Sequence, residues 1–253
     1  MKDRPRVAGI IQARMSSSRL PGKVLREIMG RPMLSYELER IEAIPEIDEL
    51  IVATTTNRID DPIAALCEKL GVKTYRGSES DVLSRYHEAA EAARADVVAR
   101  FTADCPVIDP SFASSVIKKF LGQYPGLDYL GMDYDAVPRG MDTEVFTFEA
   151  LDAAHREGFS KEDREHVTWH IHTTNPGRFR TARFPAGERL GDYRLTVDTE
   201  EDFVLIREIM ERLYAGNPLF SLRDIIALLD SEPGLRSINA GVRQKEYVRR
   251  ELA

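Results

Sequence analysis

From Gln12 the chain reads Gln12-Ala13-Arg14-Met15-Ser16-Ser17-Ser18-Arg19-Leu20-Pro21-Gly22-Lys23, with three cations and three consecutive serines between Arg14 and Lys23. A phosphate group calls for this mixture. Small residues let backbone N–H groups approach it, hydroxyls donate to it, and fixed positive charge neutralises it. The spacing is not that of the GxxxxGK[ST] phosphate loop. On composition alone, a solvated basic turn remains an equal reading. Two aspartates complete the pattern. Asp104 lies in Phe101-Thr102-Ala103-Asp104-Cys105-Pro106, and Asp198 in Leu195-Thr196-Val197-Asp198-Thr199-Glu200-Glu201-Asp202-Phe203. An Asp just ahead of Pro106 also fits a plain turn. Glu200 and Glu201 fit compensation of a helix N-terminus, with Thr199 as its cap. Asp198 precedes that cap. Two carboxylates facing a basic loop would hold Mg²⁺ on a triphosphate, since Mg²⁺ usually takes one or two carboxylates plus phosphate oxygens and water.

Other constellations compete. Asp133-Tyr134-Asp135 spells the DxD of metal-dependent glycosyltransferases, so a transferase using a preformed nucleotide-sugar through Asp133 and Asp135 is the alternative reading. His166 and His170 stand at i and i+4 but lack the intervening Glu of zinc proteases, which leaves them structural or substrate-side roles. Cys105 has no local His partner and reads as packing, as does Cys67 in a helical pattern.

The elements that must position these groups alternate from the start. Strands are predicted over Val7–Gln12, Glu49–Ala53, Val72–Tyr75 and Asp96–Phe101. Helices are predicted over Met33–Ile44, Asp61–Leu70, Asp81–Arg94 and Ser111–Leu121. That order argues for an α/β fold, an open and mostly parallel sheet with helices on both faces. Ligands of such sheets bind beyond the carboxyl ends of the strands, where the basic loop and Asp104 fall. Regularity loosens later. Strands are expected over Asp128–Met132, Thr143–Phe148, Arg178–Phe184 and Tyr193–Val197, with Ser160 capping a helix through Asp163. Helices follow over Glu200–Tyr214 and Leu222–Leu229. We read residues 1–253 as a single domain, with 128–190 a less regular sugar-binding and dimerisation part and 236–253 a tail.

The 253 residues carry 35 Lys and Arg against 42 Asp and Glu, a net charge of −7, which speaks against a nucleic-acid partner. Hydrophobic residues at 43% suffice for a sizeable core. No apolar run reaches the ~18 residues of a membrane span, and the stretch Val7 to Ile11 is too short for a signal peptide. A cytoplasmic protein is expected.

The stretch Ile11 to Leu25, IQARMSSSRLPGKVL, closely resembles the opening signature of sugar cytidylyltransferases, nearest the SpsF-type spore-coat polysaccharide branch. It is similar also to the 3-deoxy-manno-octulosonate (KDO) enzymes and, more broadly, to acylneuraminate cytidylyltransferases. RFTADCPVIDP (Arg100–Pro110), PRGMDTEVFTFEAL (Pro138–Leu151), REHVTWHI (Arg164–Ile171) and LTVDTEEDF (Leu195–Phe203) look like later blocks of the SpsF-type branch, over about Arg6 to Tyr214. The resemblance implies a nucleotide-diphospho-sugar transferase fold of the glycosyltransferase-A-like type. It implies Mg²⁺-dependent transfer of a nucleoside monophosphate, CMP from CTP, to a sugar or sugar acid with release of pyrophosphate, for surface polysaccharide or glycan synthesis. By position, Arg14, Arg19 and Lys23 match triphosphate-binding residues, and Asp104 and Asp198 match the metal-binding aspartates of the KDO enzymes. Arg14, Lys23, Asp104 and Asp198 are thus the expected catalytic set. Thr102 stands where the KDO enzymes carry a substrate-side Gln. The base is expected at the loop Arg76–Asp81, Ser80 and Asp81 included, with backbone near Ala13. Arg139 and Asp142 are expected at the sugar, Arg139 facing a carboxylate. Relatives pair through the less regular half, so a homodimer is expected, with Phe146, Phe148, Trp169 and Ile171 as a contact surface.

Overall fold

The computed structural model describes residues 4–185, 187 and 189–243. Its centre is a seven-stranded sheet. The first strand, β1 (Val7–Gln12), runs parallel between β4 (Glu49–Thr55) and β6 (Val97–Thr102), and β5 (Lys73–Gly77) adds to β4 at the edge, also parallel. Side chains alternate across β1. Val7 and Ile11 enter one core, while Ala8 and Ile10 enter the other. The first core packs under α1 (Met33–Glu42), α2 (Asp61–Leu70), α4 (Pro110–Leu121) and α7 (Glu200–Leu213) through Leu34, Ile63, Val116 and Ile206. The second packs under α3 (Val82–Ala92) and α5 (Phe148–Glu157) through Leu83, Tyr86 and Leu151. Helices thus cover both faces, as expected.

Beyond β6 the direction changes. β8 (Glu144–Thr147) pairs antiparallel with both β6 and β7 (Tyr129–Gly131), and β9 (Thr181–Arg183) closes the far edge parallel to β7. A two-residue hairpin, β2 (Glu27–Ile28) and β3 (Arg31–Pro32), was not predicted. Nor was α5, whose N-cap Thr147 accepts from Ala150 N directly after a strand.

Several expectations need correction. Tyr193–Val197 is not a strand. Its backbone bonds to two loops instead of a strand neighbour: Leu195 N donates to Arg139 O at 2.7 Å and Val197 N to Asp104 O at 2.8 Å. Gly140 permits this. It has φ +104°, and a Cβ there would lie 2.5 Å from the Leu195 carbonyl. The strand expected over Arg178–Phe184 shortens to β9. Asp81 caps α3 from outside, accepting from Ser84 N at 2.9 Å. The expected caps Ser160 and Thr199 both form capping boxes, with Asp163 opening α6 (Lys161–Glu165) and Asp202 opening α7. The proposed contact surface is not free. Phe146 and Ile171 are buried in the core under α3 and α5, with Phe148 packed against it. Of the expected tail, 244–253 lie outside the described residues. Ahead of them, α8 (Leu222–Ser231) leads to α9 (Pro233–Ser237), and Asn239 beyond it is buried. Its Nδ2 donates to Arg194 O at 3.0 Å and Asp202 Oδ1 at 2.9 Å.

Candidate active site

A cleft of about 2120 Å³ opens over the carboxyl ends of β1, β4 and β6 and runs onto the antiparallel part of the sheet. At its centre is Lys23, which leaves a one-turn 3₁₀ helix (Lys23–Leu25) and is buried. Its Nζ donates to Val197 O at 2.6 Å, Asp104 Oδ2 at 3.0 Å and Asp198 Oδ1 at 3.1 Å. Burial alone would lower the Lys23 pKa. The charges of Asp104 and Asp198 outweigh it and hold it above 10.5. The basic loop is therefore not uniformly exposed. Its last cation is enclosed between two carboxylates.

Asp198 collects two more cations, Arg19 and Arg194, each with a guanidinium nitrogen 2.8 Å from Oδ2. Burial would raise its pKa, but Lys23 first and then Arg19 and Arg194 bring it below 3.8. Asp202, buried at the start of α7, fixes this arrangement. It pairs with Arg194 Nε at 2.9 Å and accepts from Asp198 N at 3.0 Å. Sequence reasoning treated the acidic run as helix compensation and missed Arg194. The visible signal was its spacing, four residues before Asp198 and eight before Asp202.

Arg14 and Ser80 are exposed at the cleft wall. Arg14 lies 4.0 Å from Glu79, and Ala13 is buried at the end of β1 with its N–H donating to Ala53 O at 3.2 Å. Asp81 turns away from this group: it caps α3 and pairs with Arg164 at 3.4 Å. Glu79 is held by Ser16 at 2.6 Å and Asn57 at 2.5 Å, tying the loop after β1 to the loop after β5.

On the opposite wall Arg139 lies over the Tyr134 ring at 3.7 Å and 3.8 Å from Asp142. Burial raises the Asp142 pKa against the pull of Arg139, and its Oδ2 accepts from Gly140 N at 2.7 Å. The floor beside it went unpredicted. Arg100 of β6 pairs with Glu144 across the β6–β8 register, and Tyr129 and Thr168 (3.0 Å) donate to the same carboxylate. Burial would raise the Glu144 pKa, but Arg100 keeps it low. Trp169 lies along this wall between His166, tilted against it at 5.7 Å, and His172, edge-on at 6.0 Å. Of the two histidines at i and i+4, His166 reaches the cleft and His170 is buried 3.7 Å from Asp163.

The competing groups are also placed. Asp133 and Asp135 line the cleft beyond β7, and Asp133 Oδ1 accepts from Asp135 N at 3.2 Å, a turn within the motif. Cys105 is buried, and burial, reinforced by Asp104, pushes its thiol up, which suits packing. Among the described residues no group of three or more His, Cys, Asp or Glu is arranged for a metal. The pair Asp104 and Asp198, converging on one ammonium, fits the sparser demand of Mg²⁺ completed by phosphate oxygens.

This mostly parallel sheet with its cleft is the nucleotide-diphospho-sugar transferase fold. The cytidylyltransferase family model matches residues 8–229. An uncharacterized protein of Methanocaldococcus jannaschii is 38% identical over 244 residues, covering 96% of this chain and 98% of its own. The spore coat polysaccharide biosynthesis protein SpsF of Bacillus subtilis is 34% identical over 88% of this chain and 94% of its own. A 3-deoxy-manno-octulosonate cytidylyltransferase of Arabidopsis thaliana matches at 38% over 46% of this chain and 40% of its own. Among solved structures, a cytidylyltransferase of Leptospira borgpetersenii superposes with a TM-score of 0.87 at 30% identity, covering 96% of this chain and 99% of that one. The chain belongs to the cytidylyltransferase family.

Proposed function

We propose that the protein transfers CMP from CTP to the hydroxyl of a sugar acid, releasing pyrophosphate, in the synthesis of a surface glycan. The observation that carries this reading is the convergence of Lys23, Arg19, Asp104 and Asp198 from three separate segments on one point of the cleft. In the proposed reaction the sugar oxygen bonds to the α-phosphorus, and the bond from that phosphorus to the β-phosphate oxygen breaks. Arg14, Arg19 and Lys23 neutralise the β- and γ-phosphates and the departing pyrophosphate. Asp104 and Asp198 would hold Mg²⁺. That ion, when bound, neutralises phosphate charge and orients the triphosphate. Arg139 offers a planar fork to a sugar carboxylate. The polar floor of Arg100, Glu144, Tyr129 and Thr168 gives donors and acceptors for sugar hydroxyls. The cytoplasm, where CTP is made, is the proposed place of action.

The test is a screen of the four nucleoside triphosphates against a panel of sugar acids and aminosugars, read as pyrophosphate release with Mg²⁺. Release with CTP and a sugar acid is expected. Cleavage of a nucleotide-sugar in place of a triphosphate would overturn the reading and favour Asp133 and Asp135.

A further inference from the structure

The last sequence block that points to the reaction ends at Phe203. Asn239 lies far beyond it, in the segment after α9, and is buried. Its amide nitrogen directs both hydrogens at the group that holds Asp198. Nδ2 donates to Arg194 O at 3.0 Å and to Asp202 Oδ1 at 2.9 Å. Val242, whose N–H donates to Asn239 O at 2.9 Å, lines the cleft itself.

These bonds control how one guanidinium is divided between two carboxylates. Asp202 has no exposed surface, so its oxygens depend on protein donors. Oδ1 takes Arg194 Nε at 2.9 Å and Asn239 Nδ2. Oδ2 takes Arg194 Nη2 at 3.0 Å, Asp198 N at 3.0 Å and Thr199 N at 3.1 Å. The same Arg194 Nη2 stands 2.8 Å from Asp198 Oδ2. Arg194 is thus shared between a carboxylate that is wholly enclosed and one that lines the cleft. Without Asn239, Asp202 Oδ1 keeps Arg194 Nε alone. A buried carboxylate short of a donor draws the guanidinium toward itself and away from Asp198. The Arg194 carbonyl is released at the same time. It no longer pins the backbone that leads to Val197, whose own carbonyl accepts from Lys23 Nζ, and on to Asp198.

We infer that Asn239 is a positioning residue for Asp198, and that through it the segment after α9 belongs to the active site. The inference rests on the reading of Asp198 as a ligand of the nucleotide's metal ion. Groups that bond to a ligating carboxylate set its orientation, and their loss costs about 10–100-fold in metal affinity or activity. Asn239 acts at one remove, through Arg194 and Asp202.

The experiment compares wild type with Asn239→Leu, Asn239→Ala and Leu229→Ala. Leu229 is a buried core residue of α8, so its truncation is the control for lost stability. Each protein is read in two ways: Mn²⁺ bound in the presence of inorganic tripolyphosphate, followed by electron paramagnetic resonance, and kcat/KM for CTP at a temperature below unfolding. Asn239→Leu should weaken Mn²⁺ binding and lower kcat/KM by about tenfold each. Leu229→Ala should lower Tm and leave both readings within about twofold. Asn239→Ala removes the same donors without apolar bulk. It should reproduce the loss, and it keeps the inference refutable if Asn239→Leu does not fold. Wild-type Mn²⁺ affinity and kcat/KM in a folded Asn239 variant, with only Tm lowered, would overturn the inference. A matching loss in Leu229→Ala would do the same, since the effect would then be one of stability. Wild type that binds no Mn²⁺ with tripolyphosphate sinks the metal reading of Asp104 and Asp198 itself, whatever the variants do.

Discussion

The two halves of the cleft are built on different geometries. On one side the parallel strands β1, β4, β5 and β6 all release their carboxyl ends at the same edge, so the loops that follow them meet. On the other, β7 and β8 run antiparallel. There the lining comes from within strands, as at Arg100, Glu144 and Tyr129, and from the irregular segment around Trp169. A parallel half collects functional groups at predictable positions. An antiparallel half scatters them along strand faces, where each looks like an ordinary sheet residue.

Substitutions can break or sharpen this contrast. The largest effect belongs to the point where the parallel half closes on Asp198. Asp104→Asn and Asp198→Asn should each cut pyrophosphate release by about a thousandfold, and the double variant should be little worse, because groups acting as one unit are not additive. Full activity in Asp104→Asn, assayed with CTP and an accepted sugar, would remove this site. By contrast Asp133→Asn and Asp135→Asn should stay within about threefold, as befits residues outside the reacting set.

Next comes Lys23→Met. Loss of the ammonium leaves two partly buried carboxylates facing each other, which should cost on the order of 2 kcal/mol of stability, less than a fully enclosed pair because both carboxylates reach the cleft. The deficit has a pH window. Asp198 has a lowered pKa in the folded chain, so its contribution is present above 3.8 and is lost as pH falls through the folded value. Lys23 has a raised pKa, so its contribution is present below 10.5 and is lost as pH rises through the folded value. Thermal unfolding of wild type and Lys23→Met should thus differ most between these limits and converge in acid. A gap that persists unchanged at pH 3 contradicts the pairing.

The smallest effect is expected on the antiparallel side. Arg139→Ala should raise the KM for the sugar acid about tenfold and leave CTP affinity within about twofold, the loss of one charge-assisted contact. A matching fall in CTP affinity would place Arg139 at the nucleotide.

The same contrast explains what the sequence made legible. The parallel strands, their helices and the caps Thr199 and Ser160 follow from local patterns, and Asp104 and Asp198 follow from their place beside strand-like runs. The reading of the basic loop as a solvated turn fails at Lys23, since nothing local shows that Val197 and two carboxylates 81 and 175 positions away enclose it. Leu195 and Val197 alternate as a strand does, yet they are buried beneath a loop crossing at Gly140. Glu144 and Tyr129 become a polar floor only through the β6–β8 and β7–β8 registers.

The bridge of Lys23 between Asp104 and Asp198 also bears on how such a chain can diverge. A lineage that changes the lysine first inherits two carboxylates in repulsion. One that changes an aspartate first inherits an enclosed ammonium with half its counter-charge. Either single step passes through a less stable protein, so neutral drift at any one of the three positions is blocked by the other two. These positions are heritable as a block: they persist together or are replaced together.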